Sequence, residues 1–373
     1  MPRDTYLDTG KAILIFLVVL GHLLEKLVGW KSPEIKAILA TIYTFHIPAF
    51  TFISGMFFKD KDLVKKVIYF FSLLIPFQII YCLFNWGLKG EIYLEYLISP
   101  FWILWYIAAM IAWTVMTPLL KKLKTPVIIA VALSLLIGLS PINNYYFSLG
   151  RIFVFFPFFV MGAFYGHQIV NYVKQKKLCL YAAPFIFIGL LVYYFYTDIN
   201  KYWLYGSFSY SQLGVDAISG MIKRMAFLAL SLITVLAFFS SIQLFRGRWL
   251  QLGQRTLSVY IFHGFVVLII VSLFNLKDDV AFTIFLSTIT TFLTCLMLKK
   301  NIFYNSINYI NKKYAAILPF LMDRISRIKQ SLTFSPKILH LNQKNHMLTE
   351  AFLNHIKPLP TASSNLVKIS HFQ

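Results

Sequence analysis

Apolar residues run through this chain in long blocks, interrupted by short clusters of charge, Gly, Pro and Asn. A helix that crosses a bilayer needs about 20 consecutive apolar residues. Breaking the chain at its polar clusters predicts ten such helices, near 11–29, 36–58, 67–88, 101–120, 126–142, 152–170, 178–197, 222–244, 256–275 and 280–298. The expected fold is an all-α polytopic membrane protein, and an even number of spans puts both termini on one side. Ten-residue segments of alternating hydrophobicity, the mark of a transmembrane β-barrel, are not the pattern here.

Composition supports this reading. The 373 residues are 58% apolar, 18% aromatic and only 13% charged, with a mean hydropathy of +0.69, which excludes a soluble domain or a disordered chain. The net charge of +21, from 35 basic and 14 acidic residues, would suggest nucleic acid as partner of a soluble protein. Here the basic residues cluster between apolar runs, with no basic-aromatic nucleic-acid motif, so membrane lipids are the expected partner and nucleic acid is not. Ahead of the tail, alternate loops carry 15 basic residues on the N-terminal side against 9 on the other, which orients both termini to the cytoplasm of a cell-membrane protein.

Residues 1–300 therefore form one membrane domain, and 301–373 a basic cytoplasmic tail with an amphipathic piece at Ala315–Ile328 followed by disorder. Asp4 and Asp8 spoil a signal-peptide n-region and no small-residue cleavage site follows, so the first helix is expected to be retained. Cys82, Cys179 and Cys295 lack metal-ligand spacing and read as packing residues; the tail histidines His340, His346, His355 and His371 read as inert.

An ionisable residue inside a membrane helix is a functional hypothesis by default. His22, His46 and His263 each sit within an apolar run. At 1.5 Å per residue His22 lies roughly 16 Å from Lys11, His46 roughly 18 Å from Phe58 and His263 roughly 12 Å from Arg255, so the three share one depth and one cavity. The competing explanation is that each imidazole bonds a neighbouring carbonyl to lock helix packing. Neutral histidine suits the deprotonation of an alcohol attacking an acyl carbon. Competing carboxylates are expected to be absent from the helix interiors; Asp8 is the nearest, one turn from Lys11 and suited to pair with it. Arg151 opens RIFVFFPFFVMG at the end of a span, where snorkelling or function is open. Pro48, Pro76 and Pro157 read as kinks or as openings of backbone carbonyls, and Ser54, Gly55 and Gly162 as close-packing residues. The aromatics of FWILWYIAAMIAW fit an interfacial belt or a ring-stacking surface.

These residues carry a resemblance. LDTGKAILIFLVVLGH is similar to the first-helix motif of the membrane acyltransferase-3 family, a basic residue and a His separated by ten positions, met here by Lys11 and His22. FHIPAFTFISG resembles the family's His-x-Pro-x-Phe-x-x-x-Ser-Gly signature through His46, Pro48, Phe50, Ser54 and Gly55. LGQRTLSVYIFH looks like its late-helix pattern through Gly253, Leu257, Tyr260 and His263, and RIFVFFPFFVMG like a middle one through Arg151, Pro157 and Gly162. The chain resembles especially the fucose 4-O-acetylase-like branch, from about Tyr6 to near Lys300. It departs at Lys11, where many members have Arg, and at the entry to the third helix, where Lys65 and Lys66 stand for an Arg-rich segment.

The resemblance implies transfer of an acetyl or other short acyl group from acyl-CoA, a co-substrate rather than a bound cofactor, to a hydroxyl of a cell-envelope saccharide or lipid-linked glycan. It casts His22 as general base, with Lys11, Asp8, Lys65 and Lys66 handling the donor or its developing charge. His46, Ser54, Arg151, Tyr260 and His263 line the cavity, His46 and His263 holding the His22 tautomer; no metal is required, and a homo-oligomer is an allowed state. The rival is a secondary transporter or flippase in which the histidines relay protons, but no internal repeat or matched pair of broken helices supports it.

Overall fold

The computed structural model describes residues 4–90, 94–274 and 280–333, which are helical without any strand among them. Nine helices of these residues are long and apolar enough to cross a membrane. They are built on α1 (Thr5–Leu27), α2 (Pro33–Met56), α3 (Leu63–Lys89), α4 (Trp105–Leu120), α6 (Leu149–Gln175), α7 (Lys177–Tyr196), α9 (Ala217–Ser241), α11 (Thr256–Leu273) and α12 (Val280–Leu298). The expected fifth span, 126–142, is shorter: α5 (Pro126–Leu136) runs into a 3-10 turn at Ile137–Leu139. Two short helices, α8 (Lys201–Tyr205) and α10 (Leu250–Gln254), lie in connections, and α13 (Asn301–Thr333) follows the last span.

Helix starts follow local chemistry. The Asp4 carboxylate accepts from the backbone N–H of Tyr6 (2.9 Å) and Leu7 (3.3 Å) at the start of α1, and Ser32 caps α2 with Pro33 in its first turn. Lys26 lies in the last turn of α1, where a cation complements the helix dipole.

Burial sorts the helices into a centre and a lipid-facing rim. The apolar stretch of α2 is 78% buried and that of α1 67%, whereas α7 is 17% and α3 and α12 are 28%. The outward side chains of α7, among them Leu178, Phe185 and Ile188, are exposed apolar groups suited to acyl chains. The α2–α6 contact is backbone-close. A Cβ on Gly55 would stand 2.1 Å from the Phe159 carbonyl oxygen, and one on Gly162 would stand 2.0 Å from that of Phe52. The packing role expected of both glycines is met. Both helices run through their internal prolines, Pro48 and Pro157.

The chain divides into two compact units, Met1–Ala315 and Ala316–Gln373. The first extends beyond position 300, where the composition changes, because the opening turns of α13 pack onto it. Ile307 is buried in a cluster with Leu73 and Phe77, and the Asn311 amide donates to the Tyr69 carbonyl (3.1 Å) and to Ser72 Oγ (2.7 Å). In the second unit the helix continues to Thr333. The disorder expected toward the end of the tail lies outside the described residues.

Candidate active site

His22 stands about one and a half turns before the end of α1 and faces α2, α11 and the 3-10 turn Trp102–Leu104. His263 stacks on its ring with centroids 5.5 Å apart, and Trp102 closes edge-on at 4.8 Å. Tyr43 meets His22 on one side and His46 on the other, its ring centroid 4.9 Å from that of His46. The three histidines expected at one depth are thus brought together, His22 stacked on His263 and linked to His46 through Tyr43. The His22 side chain keeps 17% of its surface accessible, while His46 and His263 are buried.

Nδ1 of His46 donates to the Ile42 carbonyl at 2.7 Å, one helical turn back. Nδ1 of His263 donates likewise to Tyr260 at 2.7 Å and Val259 at 3.1 Å. Each ring therefore presents Nε2 away from its own backbone, and that of His263 has no partner among the described residues. Holding the His22 tautomer was the part expected of these two residues. It falls instead to a group absent from that expectation, the Glu25 carboxylate, whose position overturns the reading that helix interiors carry no competing carboxylate.

Glu25 is one turn from His22 on the same face of α1, its Oε2 3.7 Å from Nδ1. The Tyr43 hydroxyl donates to Oε2 at 2.6 Å, and the Tyr205 hydroxyl, from α8, donates to Oε1. Tyr205 in turn accepts from the Trp30 indole N–H at 3.0 Å. Burial, reinforced by the Glu25 charge, raises the Tyr205 hydroxyl well above the ordinary tyrosine range, so it stays a donor. The single Tyr43 proton goes to Glu25, so only a lone pair faces His22 Nδ1, 3.4 Å away. That assigns the His22 proton to Nδ1 and leaves Nε2 a free base.

The remaining expected residues fall into two groups. Tyr260 lies near the recess, its ring 6.0 Å from His263, and its hydroxyl donates to the Ile103 carbonyl, bracing the turn that holds Trp102 on His22. Ser54 is one step further out, bonded at 2.9 Å to the Tyr106 hydroxyl, whose ring is 5.8 Å from Tyr260. Arg151 opens α6 at the end of the recess nearer Glu25, its guanidinium 5.9 Å from the ring of Tyr205.

Lys11, Asp8, Lys65 and Lys66 are not gathered there. Lys11 and the buried Asp8 form the expected pair at 2.7 Å, roughly 16 Å along α1 from His22. Lys11 lies over Phe57 at 5.2 Å and Lys66 over Phe58 at 5.1 Å, which puts both cations at the α2 C-terminal end of the bundle. Lys65 is exposed there and paired with Asp62 at 3.1 Å. Gly253 belongs to this end too, since a Cβ on it would stand 1.7 Å from the Asp8 carbonyl oxygen.

A histidine with an open Nε2, braced by a tyrosine and a glutamate, has the chemistry to take a proton from a hydroxyl. The family model of the acyltransferase domain matches residues 4–299. The chain belongs to the acyltransferase-3 family. It is similar to the nodulation protein NolL of Mesorhizobium japonicum, 26% identical over 317 residues that cover 75% of this chain and 79% of that one. NolL of Sinorhizobium fredii is 27% identical over 310 residues, covering 75% and 80%. No solved structure matches the chain. This acyltransferase-3 protein is thus a multi-pass membrane O-acyltransferase, and the matched segment spans the nine described helices of membrane length, the shorter α5 and the residues around His22.

Proposed function

We propose that this acyltransferase moves an acetyl or other short acyl group from cytoplasmic acyl-CoA to a hydroxyl of a cell-envelope saccharide or lipid-linked glycan, in the cell membrane with both termini inside. The single observation that carries the chemistry is the free Nε2 of His22, held by the Tyr43–Glu25 relay in a recess that stays accessible.

In this reading Nε2 takes the proton of the acceptor hydroxyl as its oxygen bonds to the acyl carbon. The C–S bond then breaks and the thiolate receives that proton from the imidazolium. The Glu25 carboxylate stabilises the imidazolium while it exists and never needs to hold the proton. Its two tyrosine donors keep it aimed.

Donor entry is assigned to the α2 C-terminal end. Lys11 supplies positive charge held in place by Asp8, and Lys65 and Lys66 add charge for the CoA phosphates. The pantetheine arm then lays the intact thioester along α1 toward His22, and the saccharide reaches it from the end that holds Glu25 and Arg151.

The test is acyl-CoA turnover by the purified protein in proteoliposomes, with acetyl-CoA supplied on the face bearing Lys11. Release of CoA thiol that depends on an added envelope glycan fraction, and that vanishes in His22→Ala, supports the reading. Turnover unchanged in His22→Ala removes the base from the mechanism.

A further inference from the structure

At the end of the recess nearer Glu25, the Arg151 guanidinium sits inside a box of three aromatic rings. Trp105 lies at 5.3 Å, Tyr145 at 5.4 Å and Tyr205 at 5.9 Å. Such faces hold a cation in place without using its N–H donors. Among the described residues Arg151 forms no hydrogen bond and no ion pair, so the whole planar fork is available. Two further cations share this end. Lys26 stands over the Trp102 ring at 5.2 Å, and Lys201 of α8 is close enough to act electrostatically on both Glu25 and Lys26. Among the described residues, the carboxylate beside them is Glu25, already engaged by Tyr43 and Tyr205, while Asp198, ahead of α8, pairs with Lys36 at 3.7 Å. Among the described residues the mouth therefore carries an excess of positive charge, lined with rings that suit a sugar face.

We propose that Arg151 and its aromatic box form an oxyanion subsite that reads a phosphate or carboxylate group on the saccharide acceptor, so that the natural acceptor is an anionic glycan. This rests on the acyltransferase reading of the His22 recess. Arg151 is joined to that recess through Tyr205, which touches it on one side and bonds Glu25 on the other. A group gripped by Arg151 thus fixes a sugar ring between the fork and Nε2 of His22. A planar fork boxed by rings favours bidentate contact with an oxyanion over a neutral hydroxyl.

The experiment uses the full-length protein in phosphatidylcholine nanodiscs, titrated with glucose 1-phosphate, glucuronate or glucose while tryptophan fluorescence is followed. Trp102 and Trp105 flank the cations and report occupancy. The expected result is a saturable change with one or both anionic sugars at an affinity about tenfold or more above that of glucose, the size of a charge-assisted contact. Preference for glucose 1-phosphate identifies a phosphate acceptor, and preference for glucuronate a carboxylate one. Arg151→Gln should lose the preference and Arg151→Lys recover part of it, while Lys121→Gln, at an exposed pair with Asp60, should leave it intact. Equal binding of all three sugars, no saturable change, or a preference that survives Arg151→Gln overturns the proposal. Abolition of the preference in phosphatidylglycerol nanodiscs also overturns it, because the fork is then a lipid headgroup seat. His22→Ala should bind the anionic sugars as wild type does. Failure of acyl transfer with binding intact therefore falls on the catalytic reading alone, and failure of binding with transfer intact on this one.

Discussion

Removing the charge of Glu25 is the perturbation whose size the geometry sets best. Its Oε2 lies 3.7 Å from His22 Nδ1, and at about 4 Å two unit charges in an effective dielectric of about 20 attract by about 4 kcal/mol. That is a ceiling of about three decades in rate at about 1.4 kcal/mol per decade. Glu25→Gln keeps an oxygen for one tyrosine donor and loses the charge. The expected loss in kcat is therefore between about tenfold and a thousandfold, with KM for either substrate nearly constant, because the imidazolium exists only after substrates are bound. Glu25→Asp, with the charge on a shorter arm, should fall between wild type and Gln. The assay is acetyl transfer from labelled acetyl-CoA at matched protein levels, with thermal unfolding in detergent run alongside. Gln leaves the hydroxyls of Tyr43 and Tyr205 less well matched, at a cost of about 1–3 kcal/mol in stability. A folded Glu25→Gln protein with wild-type kcat would refute the relay.

Tyr43→Phe, which removes the lone pair facing Nδ1, should lower kcat with a smaller effect than Glu25→Gln, read in the same assay. Gly162→Ala and Gly55→Ala should each lower the thermal unfolding midpoint, since the new Cβ would overlap a backbone carbonyl across the α2–α6 contact and cost about 1–3 kcal/mol or more. Lys11→Met should destabilise by up to about 3 kcal/mol by leaving Asp8, 3% exposed, without its lysine, whereas Lys65→Met should change stability by less than about 1 kcal/mol because its pair with Asp62 is exposed. Chemical denaturation of the four proteins compares them directly.

The spans and the histidines were legible because each depends on local signals. Apolar blocks of bilayer length mark the helices, and a histidine in such a block is conspicuous wherever it lies. The rise of about 1.5 Å per residue then puts His22, His46 and His263 at a similar depth by arithmetic alone. Glu25 escaped notice for a local reason as well. It precedes Lys26 near the end of α1, where a charged pair reads as an interfacial anchor, although its spacing of three from His22 was the available signal. Tyr43, Tyr205 and Trp102 carried no such mark among 22 tyrosines and 7 tryptophans, because their roles arise from contacts between distant segments. The span near 126–142 was read too long because Gly138 lies inside its apolar block. Its position meets the Tyr210 ring, where a Cβ would stand 2.2 Å away, and the helix tightens into a 3-10 turn there.

The central claim is that His22 Nε2 is the base of an O-acyl transfer. Its most direct measurement follows radiolabel from acetyl-CoA into the envelope glycan fraction of membranes that carry either wild type or His22→Ala at equal abundance. The account predicts labelled glycan with wild type and a loss of about a hundredfold or more in the variant, the contribution of a positioned base. Equal labelling in the two membranes would contradict it.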